Sequence, residues 1–271
     1  MTKNDMFAYS TITYKGEELP LALEHISRAG YDGAELCPKD WRWGLEALGK
    51  KGFIDLFSKY GVRVASLYGG ILGNDLSELD EACQIGSILG SDNVFVLAPV
   101  SGSADYDQVL QWAKEACKSV ARYGMVLLIH HHAGTFMDEL SICEKLSADI
   151  REQNYGLCFD SLHLSLYEDH VEEKLSGLLP YIKYVHFKDL ETDRAELNKI
   201  KPKETWRFGD LGHLECHYMD LGDGIINHAK IAEVIQNYGY KGWWEPEIER
   251  IYLDRKKQVE RNYLKIREYV R

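Results

Sequence analysis

The stretch Met125-Val126-Leu127-Leu128-Ile129-His130-His131-His132-Ala133-Gly134 sets an apolar run against three consecutive histidines and a small-residue turn. A short run of this kind, Met125 to Ile129, predicts a buried strand of a parallel sheet. The carboxyl ends of such strands are where α/β folds carry their chemistry. Side chains alternate along a strand, so His130 and His132 share one face and His131 points the other way. Two imidazoles therefore converge on one site. A polar cap on a strand end is the plainer alternative.

Outward from this stretch the same rhythm recurs. Apolar, β-prone runs predict further strands at 7–12, 32–37, 62–67, 93–97, 155–159, 182–187 and 242–248. Helical spacing falls between them, at 19–29, 44–60, 76–89, 106–123, 138–148, 172–179, 226–238 and 252–269. Gly30, Gly61, Gly90 and Gly124 each close a helix ahead of the next strand. Eight strand–helix units in this order predict an α/β fold, a (β/α)8 TIM barrel filling residues 1–271 as a single domain. A doubly wound open sheet is the alternative, but no G-x-G-x-x-G follows the first strand. The segment from Leu190 to Gly224, rich in charge, Gly and His, breaks the rhythm and is expected to be a functional loop over the active face.

Bulk properties narrow the class. With 45% hydrophobic and 28% charged residues, the 271-residue chain has the composition of a soluble globular enzyme. A net charge of −11 argues against a partner with a phosphate backbone, so no nucleic acid is expected. The six cysteines are scattered without a C-x-x-C pair, as free thiols in a reducing compartment would be. The amino-terminal MTKNDMFAYS has no apolar signal region, and no run approaches a membrane span. A cytoplasmic protein with no membrane partner is expected.

In a barrel, the carboxyl ends of the strands form the active face. Read in order, those ends bring Glu35, then Ser66 and Tyr68, then His130 and His132. They continue with Phe159-Asp160-Ser161-Leu162-His163, Val185-His186-Phe187-Lys188-Asp189 and Trp243-Trp244-Glu245-Pro246-Glu247-Ile248-Glu249. The amino ends show no comparable set, and that asymmetry carries the functional reading. Imidazole and carboxylate groups from separate strands suit one divalent metal ion such as Mn, Co, Zn or Mg. Cys158 should lie one layer deeper, and Glu247 should sit deepest of the three glutamates sharing a face of the last strand. Taken singly, Asp160 reads as a helix cap, His186 as a core histidine, Glu247 as a surface carboxylate and Glu35 as an ion-pair partner. Trp41, Trp43, Trp243 and Trp244 read as core or rim packing.

Together these motifs resemble the xylose-isomerase-like TIM barrels, which include keto-sugar isomerases and epimerases, inosose dehydratases and endonuclease IV-type enzymes. The markers are Gly30-Tyr31-Asp32-Gly33-Ala34-Glu35-Leu36, the Asp160 and His186 segments, Leu221-Gly222-Asp223-Gly224, Gly239-Tyr240-Lys241-Gly242 and the Glu247 strand. The resemblance covers the whole chain and implies four metal ligands, His130, Asp160, His186 and Glu247, with His132 as the other candidate on strand five. Epimerases and isomerases of this family carry Glu at the strand-five position, where this chain has His130. The His-x-His followed by Gly134-Thr135 looks more like the inosose dehydratases.

What the resemblance implies is enolisation of a keto-sugar or cyclitol. Glu247 or a histidine would serve as base, His163 or His132 as acid, and Lys188 would stabilise the enolate. Glu35, Tyr68 and Trp41 would face the substrate. The expected activity is that of a sugar isomerase or epimerase, with an inosose-type dehydratase as the alternative and a non-catalytic metal- or sugar-binding barrel as a lesser one. The endonuclease reading needs histidines after strands two to four, where this chain offers Cys37, Tyr68 and Pro99. Relatives of this kind are often dimers or tetramers, so a homo-oligomer is expected.

Overall fold

Eight parallel strands close into a barrel, each hydrogen-bonded to its neighbours in chain order and the last returning to the first. They are β1 (Met6–Ser10), β2 (Gly33–Leu36), β3 (Arg63–Ile71), β4 (Asn93–Leu97), β5 (Val126–His130), β6 (Tyr155–Asp160), β7 (Ile182–Phe187) and β10 (Trp243–Pro246). Helices between them form the outer layer: α1 (Leu19–Ala29), α2 (Pro38–Tyr60), α3 (Ser77–Leu89), α4 (Tyr106–Ala121), α5 (Leu140–Ile150), the short α6 (Ser161–Ser165) and α7 (Val171–Lys174), α8 (His228–Asn237) and α9 (Arg255–Tyr269). This computed structural model describes residues 5–192, 195–196, 217–251 and 254–271.

Alternation along the strands sorts the residues into two shells. One face of β5, β6 and β7, with Leu127, Ile129, Leu157, Phe159 and Val185, joins the main apolar cluster with the helices. The other face fills the barrel with Ala8, Ala65, Phe95, Leu128, Cys158, Tyr184 and Trp243. One pleat further along the inward face lie His130, Asp160, His186 and Glu245, and one more brings Lys188 and Glu247. Cys158 is thus one layer below Asp160, as expected. Glu245, fully buried, is the deepest of the three glutamates; Glu247 lies just beyond the strand end, which corrects the order expected from sequence.

Most element boundaries match the sequence reading to within a few residues. β3 continues to Ile71 past a register shift, and α2 starts at Pro38, carried across a break at Gly49 (φ 64°). The helix expected at 172–179 is instead the single turn of α7 followed by a 3-10 turn at Leu175–Gly177. The α6 turn, which grows directly out of β6, was not legible as a separate element.

Most of the long segment after β7 (193–194 and 197–216) lies outside the described residues, as do Cys216 and the expected start of the last helix at Tyr252. Its base is defined. Two-residue strands β8 (Asp189–Leu190) and β9 (Tyr218–Met219) pair antiparallel. The Asp189 carboxylate accepts hydrogen bonds from the backbone N–H of Leu190, Gly222, Gly224 and Ile226. A Cβ at Gly224 would overlap that carboxylate, which explains the glycine. Among the described residues, no helix is long and apolar enough to cross a membrane.

Candidate metal centre

Asp160 ends β6 and begins α6, and its two oxygens divide those duties. Oδ1 accepts from the N–H of Leu162 and His163, capping α6. Oδ2 is buried with no hydrogen-bond partner and lies 3.4 Å from His130 Nε2. The helix-cap reading and the ligand reading of Asp160 thus describe different atoms of one carboxylate. His131, on the opposite face, fixes the same residue by accepting from the Asp160 backbone N–H through Nε2 at 2.9 Å.

His186 is Asp160's register partner on β7. Its Nε2–H donates to Glu35 Oε2 at 3.1 Å; burial would lower the imidazole, but Cys158, Glu247 and Glu35 outweigh it and hold it well above its usual range. Nδ1 faces Glu247 Oε2 at 2.9 Å. Both nitrogens of His130, with His186 Nδ1, Asp160 Oδ2 and Glu247 Oε2, are buried and lack hydrogen bonds. One atom from each of these four residues lies within 4.8 Å of the other three. Buried polar atoms are ordinarily satisfied, so a cluster of unpaired nitrogen and carboxylate oxygen atoms this close together fits a bound cation. Two imidazoles and two carboxylates suit Zn, Mn or Co. His130 supplies the strand-five imidazole of this cluster. His132 Nδ1–H instead donates to the Ala133 carbonyl at 2.9 Å, and its ring lies against that of His163, tilted by 40° at a centroid distance of 3.6 Å.

Electrostatics follow from burial and neighbours. Burial pushes the His130 imidazole down, and takes His131 and His132 to about 3, so all three are neutral near pH 7. Burial would raise the Asp160 carboxyl, but Lys188 and His130 outweigh it and hold Asp160 below its usual range. At Glu247 burial is likewise overcome, by Lys188 and His186, and the group stays ionised. Lys188 Nζ lies 2.8 Å from Glu247 Oε2, 3.6 Å from Asp160 Oδ2 and 3.2 Å from His163 Nε2.

The other residues singled out from sequence fall in different places. Glu35, expected to face substrate, is buried against His186 and supports the imidazole. Tyr68 is half-buried beside Phe95 (centroids 5.1 Å apart), whose ring stands edge-on to His130 and His186. Trp41 is fully enclosed within the main apolar cluster, the packing role named for it as the alternative. Two supporting groups were missed. Glu245 accepts from the Tyr184 hydroxyl at 2.5 Å beneath the cluster, and Glu249 Oε1 accepts from Lys188 Nζ at 2.5 Å above it. Their parity with Glu247 was the available signal.

Comparison with known proteins places this geometry in context. The profile of the family described as "Xylose isomerase-like TIM barrel" matches residues 23–269. Among curated proteins, an inosose dehydratase of Halalkalibacterium halodurans is 27% identical over 179 residues, 66% of this chain and 57% of that protein. An inosose dehydratase of Glaesserella parasuis serovar 5 is 30% identical over 164 residues, 58% of this chain and 52% of that protein. The chain thus spans little more than half the length of these two relatives. Among solved structures, an IolI protein with a bound zinc atom superposes with a TM-score of 0.79 at 14% identity, covering 98% of both chains.

Proposed function

Because the chain belongs to the xylose isomerase-like TIM barrel family, we propose that it is a metal-dependent enzyme that removes water from a keto-cyclitol or related keto-sugar. The observation that carries this reading is the ligand on β5. His130 stands where the isomerases and epimerases of the resembling families carry Glu, so the carboxylate pair that flanks a substrate for two-faced proton transfer is incomplete. The curated relatives named inosose dehydratases support the same choice. The sequence by itself leans toward the isomerase and epimerase class; the relatives move the balance to dehydration.

His130, Asp160, His186 and Glu247 would hold a divalent cation, and when bound it would supply Lewis-acid polarisation of the substrate carbonyl. The chain's own groups then handle protons. Glu247 or neutral His132 removes the proton on the carbon next to the carbonyl. His163 or His132 returns a proton to the departing β-hydroxyl, so one proton leaves carbon, one joins the leaving oxygen, and water is released. The Lys188 ammonium, fixed near the cluster, stabilises the enolate oxygen. Glu35 orients His186 and keeps its lone pair turned to the site.

A second reading rests on Glu249, a further carboxylate at the mouth whose partner is Lys188. With it the same enolisation could return the proton to carbon, as an isomerase or epimerase does. Incubation of metal-loaded protein with keto-hexoses, keto-pentoses and inososes in D₂O, followed by NMR, separates the two. Water loss with a conjugated dione establishes the dehydratase; deuterium wash-in with a rearranged sugar overturns it in favour of the isomerase.

A further inference from the structure

β6 and β7 pair as far as Asp160 and His186, and beyond that point side chains join the two strand ends. The Lys188 N–H donates to Ser161 Oγ at 3.1 Å, and the Ser161 hydroxyl donates back to the Lys188 carbonyl at 3.1 Å. The same carbonyl bonds to His228 Nε2 at 2.9 Å, and Ser161 Oγ lies 3.2 Å from that nitrogen. A carbonyl can only accept, so Nε2 carries the proton. His228 is buried at the first position of α8, and its ring packs on Phe187 (centroids 4.9 Å apart) and on Tyr269 (5.5 Å, stacked). The proton transfers of the proposed reaction do not use this imidazole.

We propose that His228 is a positioning residue for the Lys188 ammonium, acting through the lysine's own carbonyl. The Lys188 side chain leaves the backbone between the two clamped groups. The clamp therefore sets the origin of the chain that carries Nζ to 2.8 Å from Glu247 Oε2 and 3.2 Å from His163 Nε2. Without the Nε2–H donor, the buried carbonyl is left with Ser161 and the peptide is free to turn. An ammonium that stabilises charge on a substrate oxygen must stand at a fixed place, and a displacement of about 1 Å costs up to about 100-fold in rate. The hydrogen bonds of His228 go to Ser161 and Lys188 and to none of the four ligands, so the effect falls on turnover rather than on cation binding. The inference rests on the proposed role of Lys188 in enolate stabilisation.

Two substitutions separate the ring's donor from its packing. His228→Phe keeps a ring against Phe187 and Tyr269 and removes the donor; His228→Gln gives up the ring and keeps an N–H donor. Both variants are assayed zinc-loaded with an inosose, and crystal structures of both locate Lys188 Nζ. His228→Phe is expected to lower kcat by about 10–100-fold, with KM and zinc stoichiometry unchanged and Nζ moved away from Glu247. His228→Gln is expected to keep kcat near that of the wild type, with Nζ in place. The opposite order, an impaired Gln variant and an active Phe variant, would make His228 a packing residue and overturn the proposal. Equal loss in both variants, or wild-type rates in both, overturns it as well. If the wild type releases no water from any inosose, the dehydratase reading fails and the crystal structures decide alone. Nζ displaced in the Phe variant but not in the Gln variant then supports the proposal, and any other pattern overturns it. His228→Leu replaces the Phe variant if that one does not fold.

Discussion

His186 Nδ1 and Glu247 Oε2 are 2.9 Å apart, and no hydrogen bond joins them. Nε2 of the same ring is committed to Glu35, so Nδ1 is the nitrogen turned toward the carboxylate. Two atoms of this kind, buried and held this close without an aligned hydrogen bond, suit a cation shared between them in place of a proton. The wild type is expected to bind one Zn²⁺ or Mn²⁺ per chain. Glu247→Gln and Asp160→Asn should each abolish stoichiometric binding, read by elemental analysis after dialysis. Retention of a full equivalent by both would remove these two residues from the centre.

Glu35 touches the centre only through His186. Glu35→Gln keeps the shape but no longer anchors an Nε2–H with a charge, so the ring loses its fixed orientation. Cation affinity should drop by about 10–100-fold with the fold retained. Titration against a chromogenic chelator reads the loss, and circular dichroism the fold. Unchanged affinity would return Glu35 to the substrate-contact role expected from sequence.

His163 lies outside the metal cluster but packs against His132 and meets Lys188. His163→Gln should therefore leave metal content intact while lowering kcat by about 10²–10⁴-fold, as removal of an acid–base group does. A change in KM alone would place His163 in binding rather than proton transfer.

Removing the cation should expose the strain of the cluster. Asp160 Oδ2 and both nitrogens of His130 have no hydrogen-bond partner without a cation, so chelated protein should melt lower than the metal-loaded form, with a Tm that rises with free metal. A Tm independent of metal would mean that the cluster is equally stable without a cation.

A pH effect separate from the centre comes from Asp40. This buried carboxyl accepts from Thr11 Oγ1 and the Cys37 N–H, while Oδ1 has no partner. Burial raises it to about 6, against about 3.9 for an unfolded chain. The folded protein holds the proton more tightly, so Asp40's contribution to stability is full below about pH 4 and is lost as pH rises through about 6. The difference is on the order of 3 kcal/mol. Urea melts of wild type and Asp40→Asn between pH 4 and 7 should diverge in slope over that window; parallel curves would refute the assignment.

The barrel was readable because its cause is local: apolar runs of strand length, each followed by a helix closed with glycine, as at Ala29-Gly30 and Leu89-Gly90. Parity then put His130, Asp160 and His186 on one face. Parity could not order Glu245 and Glu247 in depth, because strand tilt and stagger, not spacing, decide where a barrel strand ends. Nor could it show that Glu35 meets His186, a contact between residues 151 positions apart. The Leu190–Gly224 segment has no periodicity to read, and the tie at Asp189 depends on backbone N–H groups that carry no sequence signature.

That tie has a consequence for how the fold can change. Asp189 and the β8–β9 pair fasten both ends of the intervening segment to the barrel rim. Exchange, shortening or lengthening between them need not disturb the His130, Asp160, His186 and Glu247 cluster, since loop closure cost grows slowly with length. The points at which the segment leaves and rejoins the barrel are thus fixed by contacts of their own, independent of the residues between them.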